Sequence, residues 1–429
     1  MVNTYFYIEK VNGFIRSIIR NGFIERTIFK YYLKVDDACE FTAFTSQMNE
    51  EDFENYYAKY LKFLSKNKIK DDVLDAIISC FLLNYKEKID KEYDEKYQVI
   101  INYFESLDIK SYSVDRWRSW CQFFISNGMF QVGYICREKG IERLITRRPH
   151  IFDGWRRAIV YLEKREFEKA LELIRTIREN IVYKTFLGKE LISLETYYNS
   201  LSPIPEADFE PVFDKKRKEM SEILRGKDVV IIGPAPMEKG FPFKDREYIV
   251  IRNNERRKED DFAYISERKT DITYYNSIGI RRIVENRDFD FFEQFKYVVA
   301  KNISVFDESE YKRARKADAL NELAYAGVWN ALPMILLDIS QFKFARLYIC
   351  GNNLFMSQTP HRKDYITSDL KLGNRTLVKS FSKHEMFSQF YLIKNMYLSD
   401  KFVADDELKN VLTLEAIEYA RKMEEIYIR

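Results

Sequence analysis

Cysteine and histidine are both scarce in this chain of 429 residues. The five cysteines, Cys39, Cys80, Cys121, Cys136 and Cys350, form no C-x-x-C pair, and their number is odd. That argues against a disulfide framework or a zinc site and leaves buried apolar thiols in a reducing compartment. The three histidines, His150, His361 and His384, add no convincing metal set. An excess of one charge is missing too: 70 basic residues stand against 67 acidic ones, for a net +3. A dedicated nucleic-acid binder shows a clear basic excess, so no nucleic-acid partner is expected. No stretch approaches the ~18 uncharged apolar residues of a spanning helix. The first twenty residues lack a basic segment followed by a clean apolar run, so no signal peptide is expected either. These absences point to the cytoplasm, with peripheral contact at the inner face of the membrane left open.

What is present is material for large cores: 46% hydrophobic and 16% aromatic residues beside an ordinary 32% charged. At roughly 150 residues per domain, the length suggests two or three domains.

Residues 1–200 read as an all-helical region. Glycine and proline are sparse there, and apolar residues recur at three- and four-residue spacing, as around Ala76 to Leu82. Within 112–200 a weak repeat is visible. WCQFFISNGMF (Trp120–Phe130) and WRRAIVYLEKREF (Trp155–Phe167) each run on into a helical pattern. Their tryptophans are 35 residues apart and their turn phenylalanines 37. Tetratricopeptide hairpins have a period of about 34, so degenerate repeats and an isolated helical pair both fit. Pro203, Pro205 and Pro211 mark 201–225 as a linker, because proline cannot continue a helix and disfavours it in the preceding residue.

From 226 to 429 the pattern becomes α/β. Asp228–Gly233 (DVVIIG), Tyr248–Arg252, Asp271–Asn276, Tyr297–Ala300 and Ala345–Gly351 are short apolar runs of the kind buried on both faces of a parallel sheet. Ala326–Leu337 reads as a buried helix, and Phe387–Leu398 and Leu414–Tyr427 as amphipathic ones. The fold class is thus an α/β C-terminal domain with a mostly parallel, Rossmann-like sheet behind an all-α, helical-repeat-like N-terminal region. Ligands of such sheets bind beyond the carboxyl ends of the strands.

Several residues fall at those ends. Gly233, Pro234 and Ala235 follow the first strand; this is neither G-x-G-x-x-G nor a P-loop, and both a tight turn and a close approach to a phosphate or ribose fit. Arg252, Asn253 and Asn254 end the second strand and Asn276 the third. Asparagine amides there serve turns or bind a base, ribose or phosphate without a metal. His384, just before a helix, has the near-neutral pKa of a general base, and a plain surface position suits it equally.

In this order the motifs GPAP (233–236), VIRNN (250–254), TDITYYN (270–276), Ala326-Gly327, LYICG (347–351) and His384-Glu385 resemble those of sialyltransferases, glycosyltransferase families 29 and 42 and the related bacterial enzymes that use CMP-activated sugars. The resemblance spans about 226–429. It implies that the Gly233 loop lies against the nucleotide and that Asn254 contacts ribose and phosphate. It implies Asn276 near the donor sugar, Gly327 opening a helix toward the phosphate, Gly351 ending a strand at the site, and His384 as the base on the acceptor hydroxyl. The family has Ser or Thr where Ala326 stands, and its leaving-group tyrosines have no match after Gly351; Tyr365 or His361 are the substitutes to consider.

The implied partners are a CMP-sugar donor (sialic acid, Kdo or another nonulosonic acid) and a glycan or glycolipid acceptor of the bacterial surface, capsule or lipopolysaccharide. No cofactor and no metal are implied. The helical region is expected to bind the acceptor or a protein partner. Two alternatives stay open: a metal-dependent transferase of nucleoside-diphosphate sugars through Asp288-Phe289-Asp290, and a non-catalytic helical-repeat scaffold for polysaccharide assembly.

Overall fold

The computed structural model describes residues 91–428 apart from 127, 148–152, 180, 210, 212, 238–246, 256–268, 302, 318–322, 358–377, 379–380 and 382–383. The helical reading of residues 1–90, and those of His150, His361, Tyr365, Cys39 and Cys80, lie outside that set.

The first described stretch consists of helices α1 (Lys91–Ser106), α2 (Val114–Ser126), α3 (Phe130–Thr146), α4 (Gly154–Glu163), α5 (Phe167–Glu179) and α6 (Ile181–Leu201). Short connections fold α2 onto α3 and α4 onto α5. Trp120 lies mid-helix in α2 and is buried against Trp117, Phe104 and Tyr112, whereas Trp155 is the second residue of α4 and only part-buried. Beyond the prolines, α7 (Lys215–Leu224) occupies the charged end of the segment read as a linker. Asp214 caps it, accepting from the Arg217 N–H at 2.8 Å.

The sheet has seven strands, all parallel: β1 (Asp228–Ile232), β2 (Tyr248–Asn253), β3 (Ile272–Tyr275), β4 (Tyr297–Ala300), β5 (Ala314–Lys316), β6 (Arg346–Cys350) and β7 (Val403–Ala404). Their order is β5-β4-β3-β2-β1-β6-β7. All five strands expected from the sequence are present. The other two, β5 and β7, are three and two residues long, too short to leave a hydrophobic pattern. Helices α8 (Ser277–Asn286), α9 (Ala331–Ile339), α10 (Met386–Leu398), α11 (Asp406–Leu412) and α12 (Ala416–Tyr427) complete the fold.

Successive side chains of a strand point to opposite faces, and the core divides accordingly. Val230, Ile232, Tyr248, Val250, Tyr348 and Cys350 form a small cluster on one face. Val229, Ile231, Ile249, Ile251, Leu347 and Ile349 belong, on the other, to one continuous core that also contains Trp117, Phe124, Phe130, Phe390 and Tyr419. Among the described residues the helical stretch thus shares its core with the sheet domain: α3 packs on α12, α4 on α10, and α6 on α9 and α10.

Helix α9 begins at Ala331, five residues later than the sequence pattern suggests. Pro333 explains the difference. In the first turn its missing N–H costs nothing, since the first four N–H groups of a helix lack intrahelical partners. A helix begun at Ala326 would carry Pro333 in its interior, where the missing bond and the ring clash break it.

Candidate functional site at the sheet switch point

Strands β1 to β5 step outward in one direction, and the chain then crosses back to lay β6 on the other side of β1. At such a switch point a ligand crevice is expected beyond the carboxyl ends of the strands. A cavity of about 270 Å³ lies there. Gly233, Pro234 and Ala235 line it after β1, Asn253 and Asn254 at the end of β2, Asn276 after β3, Lys301 after β4, and Asn352 and Asn353 after β6. Trp329, Asn330 and the first turn of α9 form one wall; His384 and Gln389 form another.

Gly233 is explained first by its neighbour strand. Its N–H donates to the Cys350 carbonyl at 2.8 Å, and the Ala235 N–H donates to the Gly351 carbonyl at 2.9 Å. A Cβ on Gly233 would overlap that Gly351 carbonyl. Only glycine lets the two loops lace together. Gly351 takes the left-handed φ of +62°, and its N–H donates to Asp405 Oδ2 at 2.8 Å. The resemblance implies it at the binding site, but it is not among the residues that line the cavity. Burial pushes the Asp405 carboxyl above its usual range, against the opposing pull of its two backbone N–H bonds.

The asparagines serve both roles considered for them. Asn254 has φ +54°, and its Oδ1 accepts the Asn276 N–H at 2.9 Å. Asn276 caps α8, its Oδ1 accepting from Ile278 N at 3.1 Å and Gly279 N at 2.7 Å. The oxygens are thus committed to the fold, which leaves the Nδ2 amides as the donors these side chains offer a ligand. Asn253 Oδ1 is buried without a hydrogen-bond partner.

Like Gly351, two further expected site residues, Arg252 and Gly327, do not line the cavity. Arg252 shares the strand face of Tyr248 and Val250, opposite to Asn253. It is buried, donating to Thr270 Oγ1 at 2.9 Å, with Glu255 Oε1 at 3.7 Å. Gly327 lies four residues ahead of α9 and opens no helix; Asn330 and Ala331 take that place. Gln122 Nε2 instead holds the carbonyl of the preceding Ala326 at 2.6 Å. Lys301, Asn352 and Asn353 could have been found by the rule that picked Asn276, being next to strand ends. Trp329 and Gln389 left no such signal.

Among the described residues no aspartate or glutamate lines the cavity, and Lys301 and His384 are the ionisable side chains that do. An anionic ligand suits such a lining. Asp288 and Asp290 sit in the turn that leads into the amino end of β4, at the edge away from the cavity. Among the described residues no group of three metal-ligating side chains occurs, and no helix is long and apolar enough to cross a membrane. Comparison with protein-family models, with curated proteins and with solved structures gives no match for this chain.

Proposed function

We propose that the chain is a glycosyltransferase that moves a sugar from a CMP-activated donor to a hydroxyl of a bacterial surface glycan. One observation carries the reading: Gly233, Asn254, Asn276 and His384, which are scattered along the sequence, line a single cavity at the switch point that no acid among the described residues lines. The amides of Asn254 and Asn276, Lys301 and the first turn of α9 supply donors and positive charge for the donor phosphate. His384 accepts the acceptor proton as the sugar carbon is attacked, and inversion follows from attack opposite the leaving CMP. Holding both substrates in one crevice supplies much of the rate. The Ser or Thr absent at Ala326 would be replaced by backbone N–H groups of the first turn of α9, where Asn330 and Ala331 line the same crevice. The acceptor is a capsule or lipopolysaccharide glycan on the cytoplasmic side. The helical region binds it or a partner protein.

Calorimetric titration with CMP, UDP and GDP, each with and without Mn²⁺, tests the reading. Metal-independent binding that prefers CMP and weakens in Asn254→Ala is the expected result. A preference for UDP or GDP that needs Mn²⁺ would transfer the function to the nucleoside-diphosphate class.

A further inference from the structure

Behind the His384 wall lies a buried charge network that joins both halves of the chain. Glu385, next to His384 and fully buried, has φ +36° and ψ +80° and is the N-cap of α10. A non-glycine residue in the left-handed region persists only where its surroundings hold it. Both of its carboxylate oxygens are held. Oε1 accepts from Arg137 Nε at 2.9 Å, and Oε2 accepts from the Ser388 N–H at 2.7 Å. Arg137, on α3, is itself only 1% exposed. Its Nη2 donates to Glu163 Oε2 at 2.6 Å and to Ser388 Oγ at 3.2 Å, and Ser388 Oγ donates to Glu163 Oε1 at 2.6 Å. The rings of Tyr325 and Tyr391 flank the guanidinium, with centroids at 5.3 and 5.2 Å. Ser388 Oγ also accepts the Tyr325 N–H at 3.0 Å, and Arg118 Nε donates to the Tyr325 carbonyl at 3.1 Å. The stretch that carries Trp329 and Asn330 is therefore tied to the same network. Gln389 Nε2 donates to the His384 carbonyl.

We infer that Arg137 is a positioning residue for the crevice: through Glu385 it fixes the direction in which His384 is presented. Arginine suits the task because its planar fork reaches three carboxylates at once, those of Glu163, Glu385 and the partly exposed Glu138, which a lysine ammonium on a single-point stem does not. The network spends buried charge at a place where apolar packing would hold the helices as well. What the charged arrangement adds is a fixed, strained backbone next to the imidazole. The inference rests on His384 facing the ligand as proposed above, and the experiment reads the imidazole directly.

The chain has three histidines, so the ¹³C-edited ring signal of His384 is assigned by substituting His150 and His361. The full-length triple variant Arg137→Met, Glu163→Gln, Glu385→Gln removes the three fully buried charges of the clamp together; the remaining partner, Glu138, whose Oε1 accepts from Arg137 Nη1 at 3.1 Å, is one-third exposed and stays solvated. Its unfolding temperature is expected within a few degrees of the parent, while the His384 signal moves or splits and those of His150 and His361 stay. Glu385→Gly relaxes the left-handed backbone without an unpaired acid and is expected to move the same signal. In both variants the response of that signal to added CMP should fall at least tenfold. An unchanged His384 signal in folded Glu385→Gly and triple variants would overturn the inference. If the parent does not bind CMP, the proposed function fails, and the position of the His384 signal without ligand still decides the role of Arg137.

Discussion

Asn254 Oδ1 accepts the backbone N–H of Asn276 at 2.9 Å, so the ends of β2 and β3 are fastened to each other at the mouth of the crevice. Asn254→Ala removes that acceptor and places alanine at φ +54°. Stability should fall by about 1–3 kcal/mol, since the Asn276 N–H loses its acceptor. Asn254→Asp keeps the acceptor and loses the amide donor. Denaturant unfolding and calorimetry with CMP on both variants separate the two roles: Asp should retain most of the stability and lose nucleotide affinity.

Gly233→Ala should be more damaging than a surface glycine change, because its Cβ meets backbone, not a movable side chain. Overpacking of this kind costs about 1–3 kcal/mol. Gly351→Ala suffers a different penalty, about 1–2 kcal/mol for its left-handed φ. Thermal unfolding of both variants tests this; a Gly233→Ala protein as stable as the parent would show that the two loops are not held together as described.

His384→Ala should leave CMP binding nearly intact while transfer to an acceptor falls by roughly 10²–10⁴-fold. Donor hydrolysis and transfer, assayed side by side, give the measurement. Equal transfer rates in parent and variant would remove His384 from the mechanism.

Glu163 gives a pH test. Burial raises its carboxyl above the ordinary value, the nearby Glu385 charge adds to the rise, and Arg137 opposes it. With its pKa raised on folding, the folded state holds more protons, so this group favours folding at low pH. That contribution is present below the unfolded-state value of about 4.5 and is lost as pH rises through the folded value. Glu163→Gln lacks this dependence. The melting temperature of the parent relative to Glu163→Gln should therefore increase as pH falls from neutrality toward 4.5; a constant difference would contradict the shift.

Residues 226–429 expressed alone should not form a stable unit. Glu424 would lose the Tyr97 hydroxyl at 2.5 Å and the Gln131 N–H at 2.7 Å; Glu385 would lose Arg137. Removing one partner of a buried ion pair costs about 3–5 kcal/mol. The packed faces of α9, α10 and α12 would be exposed as well. Solubility and the cooperativity of unfolding check this. A soluble, cooperatively folding fragment would show that the shared core is dispensable.

The parallel sheet was legible in the sequence because strands buried on both faces must be continuously apolar, and β1, β2, β3, β4 and β6 are. So were the strand-end residues Gly233, Asn254 and Asn276, since a βα turn follows each strand directly. What the one-dimensional pattern leaves open is which strands are neighbours, and hence where the crevice lies; only the crossover that seats β6 beside β1 decides that. Strand alternation then turned Arg252 away while keeping Asn253, and Pro333 moved the helix start from Ala326 to Ala331. The network around Arg137 had no sequence signal at all, because its partners Glu163 and Glu385 stand 26 and 248 positions away. Local sequence determined the elements and their polar ends, through periodicity and turn chemistry. Tertiary packing alone decided which of those ends face one another, and how a helical region far along the chain comes to hold the wall that presents His384.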